Sequence, residues 1–199
     1  MLPAHSYQTK AMDFIKKHHS TYLMVDMGLG KTKIALDTLA TTNLPCLVFS
    51  PLRPAYTTWP DEIGKWQRDM SYTILHGDKK NVNLRRDKRI YILNYQGLKW
   101  FYNACLQGRF KPRRFFVIFD ESTFIKSPST KRFKMLRSLR PIFSGYRLNL
   151  SGTPSPNGLN DLWAQYYFLD GGKRLGNTYY QFRDRYFFYS GYPRYEMAL

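Results

Sequence analysis

Two cysteines, four histidines and 14 acidic residues are all that this chain of 199 residues holds of those types. Each scarcity narrows what the protein is. Cys46 and Cys105 stand apart, without Cys or His at ligand spacing, which excludes a disulfide scaffold and a zinc site and points to a reducing compartment. The histidines, at 5, 18, 19 and 76, form no triad or ligand pattern and read as surface or packing residues. No apolar run approaches the roughly 18 residues of a membrane span, and the first residues contain no apolar signal segment. A cytoplasmic protein without membrane contact is the expectation. No internal repeat or low-complexity tract interrupts the chain.

Against the few acids stand 31 Lys and Arg, giving a formal net charge of +17 and an isoelectric point near 9.9. An excess this large over the whole chain implies a polyanionic partner, with a nucleic-acid backbone the natural one. The basic residues gather in Lys79-Lys80, Arg85-Arg86, Lys88-Arg89, Lys111 with Arg113-Arg114, and Lys131, Arg132, Lys134, Arg137 and Arg140. Any single cluster reads more readily as a solvated face than as a contact. A hydrophobic content of 43% suffices for one substantial core.

Patterning predicts alternating helices and strands. Helices are expected at 8–18, 31–41, 60–68, 97–106 and 158–168, with another beginning at Ser127 as N-cap and Pro128 in the first turn. Strands are expected at 21–26, 45–50, 72–76, 90–94, 115–120 and 146–150. Such alternation implies a mostly parallel sheet between two helical layers, a three-layer α/β domain. Trp59 and Trp66, seven residues apart on one helical face, read as core.

The most telling stretch is Asp26-Met27-Gly28-Leu29-Gly30-Lys31-Thr32, between an apolar segment and a helical one. Gly28 and Gly30 let the backbone approach a polyphosphate, Lys31 reaches the β- and γ-phosphates, and the Thr32 hydroxyl suits magnesium. The full pattern G-x-x-x-x-G-K-[ST] would place a glycine at 25, where this chain has Val25. Support comes from Phe115-Phe116-Val117-Ile118-Phe119-Asp120-Glu121, a buried strand ending in two acids. Asp120 is suited to hold the metal and Glu121 to orient or deprotonate an attacking water. The pairing points to a hydrolase that takes a nucleoside triphosphate with Mg2+.

In order, the chain then shows Tyr7-Gln8, the loop from Met27 to Thr32, Ser50-Pro51-Leu52-Arg53, Trp59-Pro60-Asp61-Glu62-Ile63, Lys65-Trp66, Asn94-Tyr95, Asp120-Glu121-Ser122 and Leu150-Ser151-Gly152-Thr153-Pro154. Together these resemble the first RecA-like lobe of superfamily-two helicases and translocases (the DEAD/DEAH-box-like enzymes), and within them the Swi/Snf-like branch, with short phage and bacterial members nearest. The resemblance implies a RecA-like P-loop NTPase fold over 1–169 and ATP as the nucleotide, with Gln8 recognising adenine. It implies that Met27, Gly28, Leu29, Gly30, Lys31 and Thr32 bind ATP, and that Thr32 and Asp120 bind Mg2+. Lys31, Asp120 and Glu121 would be catalytic, and Ser151 and Thr153 would couple the nucleotide to lobe movement. For DNA, expected as a duplex gripped through its phosphates, the matching residues are Arg53, Asn94, Tyr95 and Gln96. Lys126 and Lys131 are either further contacts or solvated charges.

Two departures qualify the resemblance. Many relatives read Asp-Glu-x-His, where this chain has Thr123. No second RecA-like lobe, with its arginine finger, follows within the chain, so a second lobe beyond 199 is the expected partner. The segment 170–199 interleaves tyrosine and phenylalanine with arginine; a helix near 178–188 that packs these rings on the lobe is expected over one that stacks on bases. The function implied is an ATP-dependent DNA helicase or translocase motor. A nucleic-acid-binding module without catalysis, and the motor subunit of a restriction or nuclease system, are the alternatives.

Overall fold

The computed structural model describes residues 3–110, 113–191 and 194–197. Six short segments, most of them centred on apolar runs, form strands: β1 (Ser20–Met24), β2 (Cys46–Ser50), β3 (Tyr72–Ile74), β4 (Ile90–Asn94), β5 (Arg113–Asp120) and β6 (Phe143–Ser151). They make one sheet in the order β1-β6-β5-β2-β4-β3, and every neighbouring pair is parallel. A sheet of this kind must be covered on both faces, which explains why β2 and β4 are buried at every position.

The cover comes from α1 (Ser6–His18), α2 (Lys31–Ala40), α3 (Leu52–Tyr56), α4 (Thr58–Trp66), α5 (Lys80–Arg85), α6 (Leu98–Leu106), α7 (Lys131–Leu139) and α8 (Leu162–Asp170). Alternate strand residues point to opposite faces. Val48, Ile92, Ile118 and Leu148 pack with Ile15 of α1, Ile34 of α2, and Trp59 and Ile63 of α4. Phe49, Leu93, Val117 and Phe119 pack with Phe101 of α6, Leu136 of α7 and Phe168 of α8. The three-layer α/β arrangement expected from the sequence is present, with the sheet parallel throughout. All carboxyl ends of the strands lie along one edge, where such sheets bind ligands.

Elements differ from expectation in three places. The helix expected to start at Ser127 begins at Lys131. The Thr130 side chain caps it, accepting from the Phe133 amide at 3.2 Å and donating to the Ser127 carbonyl at 2.9 Å. Residues 127–130 thereby close into a turn, and Thr130 has the extended backbone that an N-cap needs. The short helices α3 and α5 were not expected. After the helix α9 (Tyr179–Tyr186), strands β7 (Phe187–Gly191) and β8 (Arg194–Met197) pair antiparallel, so 170–199 is not helical throughout. The aromatic run from Phe187 favours strand over helix.

Four rings of the tail pack as expected, whereas Tyr180 and Phe188 are exposed. Phe182 is buried with Phe133 and Trp163, and Tyr179, Tyr186 and Phe187 lie against that cluster. Arg183 and Arg185 stack on Tyr180 and Tyr186. Lys111 and Tyr192 lie outside the described residues.

Candidate nucleotide site and its surroundings

Four strand ends converge at the carboxyl edge. The loop after β1 runs to Gly30, which caps α2 in a left-handed conformation with φ +75°, while Gly28 has φ +79°. Both positions favour glycine. Val25 has no positive φ, so the glycine of the usual pattern is not needed there. Space around Gly28 is open, with nothing within 4 Å of where a Cβ would sit. At Gly30 a Cβ would meet Gln8 Nε2 at 2.7 Å, so loop and helix α1 touch at this point.

Lys31 folds back over the loop, its ammonium donating to the carbonyls of Val25 at 2.8 Å and Asp26 at 3.1 Å. Gly152, after β6, approaches from the other side; a Cβ there would lie 3.7 Å from Lys31 Nζ. Thr32 follows in the first turn of α2, half-buried.

Asp120 ends β5. Its Oδ2 accepts from the Ser50 hydroxyl at 2.8 Å and from the Trp59 indole at 2.9 Å. Burial holds its pKa above the ordinary carboxylate range, partly offset by those two donors and the charge of Lys31. Glu121, one residue on, takes φ +50°, a conformation rare outside glycine. Burial and then the neighbouring charge of Asp120 raise its pKa, while Lys31 and the Ser151 hydroxyl oppose the rise. The lysine of the loop therefore acts electrostatically on both acids. Sequence reasoning missed Ser50 and Trp59 as Asp120 partners, because no spacing rule links residues 61 and 70 positions away.

A cleft of about 250 Å³ opens beside the loop, lined by His5, Tyr7, Gln8, Gly28, Gly30 and, opposite, Trp66. Gln8 is 5% exposed. Its carbonyl accepts from the His5 amide at 3.1 Å, and its amide donates to the Tyr7 hydroxyl at 3.3 Å, which in turn donates to Leu29 O at 3.1 Å. Trp59 is fully buried, as expected of a core residue. Trp66 is not core: it is half-buried at the cleft, flanked by the Lys33 and Lys65 ammoniums at 4.8 and 4.6 Å from its ring. Met27 is the most exposed large apolar residue of the loop, and Leu29 is partly exposed.

Ser151 is buried at the end of β6 and accepts from the Thr153 amide at 3.1 Å, while Thr153 itself is exposed. The residues expected at DNA divide. Arg53 and Gln96 are exposed at the carboxyl edge. Asn94 and Tyr95 are 1% and 3% exposed and face inward. The Asn94 side chain caps residues 95–97 through the Gly97 amide at 2.7 Å, and the Tyr95 hydroxyl donates to Asp120 O at 2.8 Å. Both thus support the edge from inside, with Asn94 Nδ2 buried and without a hydrogen-bond partner. Lys126 is paired with Asp161 at 3.0 Å, whereas Lys131 is exposed. Arg132 lies over the rings of Tyr95 and Phe124.

The residues present suit a magnesium–nucleotide: a loop with open space over Gly28, an ammonium at its mouth, a threonine at a helix start and a buried carboxylate under tension from burial. Among the described residues no helix is long and apolar enough to cross a membrane.

Comparison with known proteins agrees with this geometry. The family model of the SNF2-related domain matches residues 7–185. A putative protein p41 of Acyrthosiphon pisum secondary endosymbiont phage 1 is 38% identical over 176 residues, which are 81% of this chain and 38% of that protein. The human DNA excision repair protein ERCC-6-like is 34% identical across 76% of the chain but only 13% of its own length. The SWI2/SNF2 ATPase core of Sulfolobus solfataricus, solved in complex with dsDNA, superposes with a TM-score of 0.78 at 27% identity, over 93% of this chain and 39% of that one. This chain therefore spans well under half the length of these relatives, and it belongs to the SNF2-related domain family.

Proposed function

We propose that this chain is the ATP-binding lobe of a DNA motor, coupling ATP hydrolysis to movement on duplex DNA. The observation that carries the reading is the position of Lys31, whose ammonium lies over the carbonyls of Val25 and Asp26 and beside Gly152, at the same sheet edge as Asp120 and Glu121. A phosphate binder and a pair of acids with separate surroundings are the parts that phosphoryl transfer to water needs.

In this reading the amides of 27–32 and the Lys31 ammonium hold the phosphates, and Thr32 and Asp120 hold Mg2+. The metal, when bound, neutralises charge on the phosphate oxygens. Ser50 and Trp59 fix the Asp120 carboxylate through its Oδ2. Glu121, less tightly tied, orients the attacking water and accepts its proton. Gln8 faces the base in the cleft, where recognising adenine requires it to exchange its bonds to His5 and Tyr7 for bonds to the ligand.

A second RecA-like lobe, supplied beyond this chain, would close the site and contribute the cation that Lys31 alone does not provide. The greater length of the relatives supports that arrangement. Residues 1–169 would form the lobe and 170–199 the connection. Arg53, Gln96 and Lys131, exposed along the edge, are the proposed contacts to DNA phosphates, and the net charge of +17 supports binding without base readout. The dsDNA in the Sulfolobus structure supports a duplex.

The test is ATP turnover by the intact protein with and without duplex DNA. DNA is expected to stimulate turnover, and Glu121→Gln to lower it by roughly 100-fold or more. Turnover indifferent to both DNA and the substitution would contradict the proposal.

A further inference from the structure

Beneath the Ser151–Thr153 turn lies a set of polar side chains with no part in holding nucleotide. Gln165 of α8 is fully buried, with every hydrogen-bonding position of its amide in use. Its carbonyl oxygen accepts from the Tyr22 hydroxyl and from Ser122 Oγ at 2.7 Å, while its Nε2 donates to Pro154 O at 2.7 Å and Asp161 O at 2.9 Å. The Tyr22 and Ser122 hydroxyls are 2.8 Å apart. The main-chain carbonyl of Gln165 accepts from Asn149 Nδ2 at 3.0 Å. The network meets the turn after β6 at Pro154 O, and within that turn the Ser151 hydroxyl accepts from the Thr153 amide at 3.1 Å.

These contacts join four segments that differ in sequence but meet at the site. Tyr22 belongs to the strand that leads into the phosphate loop, Ser122 follows Glu121, Pro154 ends the turn after β6, and Gln165 lies on α8. Glu121 holds a left-handed backbone that must be imposed from outside, and the side chain pinned next to it is Ser122. A buried amide with all its bonds made resists piecemeal change, since moving one partner strands another without water to replace it. The segments are therefore built to move together or not at all.

We propose that Tyr22 and Gln165 are positioning residues that fix Glu121 and transmit the nucleotide state to the Ser151–Thr153 turn. The proposal rests on the nucleotide reading of the site.

Hydrogen–deuterium exchange on the 199-residue chain, with and without Mg·ATP, tests it without relying on turnover. In the wild type, nucleotide is expected to protect both 26–32 and 152–158. In Tyr22→Phe, which removes one hydroxyl, protection of 26–32 is expected to persist at unchanged affinity while the nucleotide-dependent protection of 152–158 falls about tenfold, as losing one buried bond implies. Gln165→Leu is expected to act likewise, and Tyr22→Phe carries the test if the leucine variant does not fold. A purely structural role would alter exchange with and without nucleotide alike and leave the difference intact. Protection of 152–158 that responds to nucleotide equally in wild type and Tyr22→Phe overturns the relay alone. Absence of protection at 26–32 in the wild type overturns the nucleotide reading and the relay with it.

Discussion

At the scale of single residues, the site is a compromise between binding and stability. Asp120 and Glu121 are held where burial disfavours their charge. Their folded pKa values lie above the unfolded ones, so between the two the native chain holds the extra protons. Stability from this source is present at low pH and is lost as pH rises through the folded values. At neutral pH the Asp120 charge is thus a net cost to the fold. Asp120→Asn keeps an acceptor for Ser50 and Trp59 and removes the charge, so it is expected to raise the thermal midpoint of the nucleotide-free chain by a few degrees, about 1 kcal/mol, and to flatten its acid-side pH dependence. Differential scanning calorimetry against pH reads both. The loop glycines, Lys31 and the acid pair were legible from sequence because their chemistry is tied to short, fixed spacing. Asn94 and Tyr95 were not, since whether a strand-end residue faces solvent depends on what packs over it. Here Phe124 stacks on the Tyr95 ring at 4.9 Å and the Asp120 carbonyl takes its hydroxyl.

At the scale of elements, local signals and tertiary contacts share control. The six strands of the parallel sheet were legible because most centre on an apolar run bounded by polar or turn residues, and their structural bounds fall within a few residues of the expected ones, whereas β7 and β8 were not expected. Helix starts were less so. Ser127-Pro128 has the composition of a helix start, but Thr130, three residues before Phe133, makes the capping bond and brings Phe133 onto Trp163, with ring centroids 5.5 Å apart. Thr130→Ala is expected to cost about 1 kcal/mol in chemical denaturation, and Ser127→Ala much less. The reverse order would mean that α7 starts where composition alone places it. The tail shows the same division: a capping box at Thr178 and Gln181 sets α9 locally, while burial of Phe182 on Phe133 and Trp163 fixes where it docks.

At the scale of the whole molecule, one parallel sheet gathers most of the candidate site segments on one edge. The phosphate loop, the acid pair, the serine–threonine turn and the exposed Arg53 all follow strand ends, which is why distant parts of the sequence meet there. The charge excess acts at this scale too. If the basic residues along the edge grip phosphates, duplex binding should weaken with salt, log K falling against log salt with a slope of about 0.9 for each phosphate neutralised. Fluorescence anisotropy with duplexes of unrelated sequence is expected to give the same slope for each; a marked preference for one sequence would point to base readout instead. The central claim, that the cleft between Gln8 and the loop after β1 is built for ATP, is tested most directly by calorimetric titration of Mg·ATP and Mg·GTP into the chain and into Lys31→Ala. ATP is expected to bind in preference to GTP, and the substitution to abolish binding. Equal binding of both nucleotides, or binding that survives without the Lys31 ammonium, would contradict it.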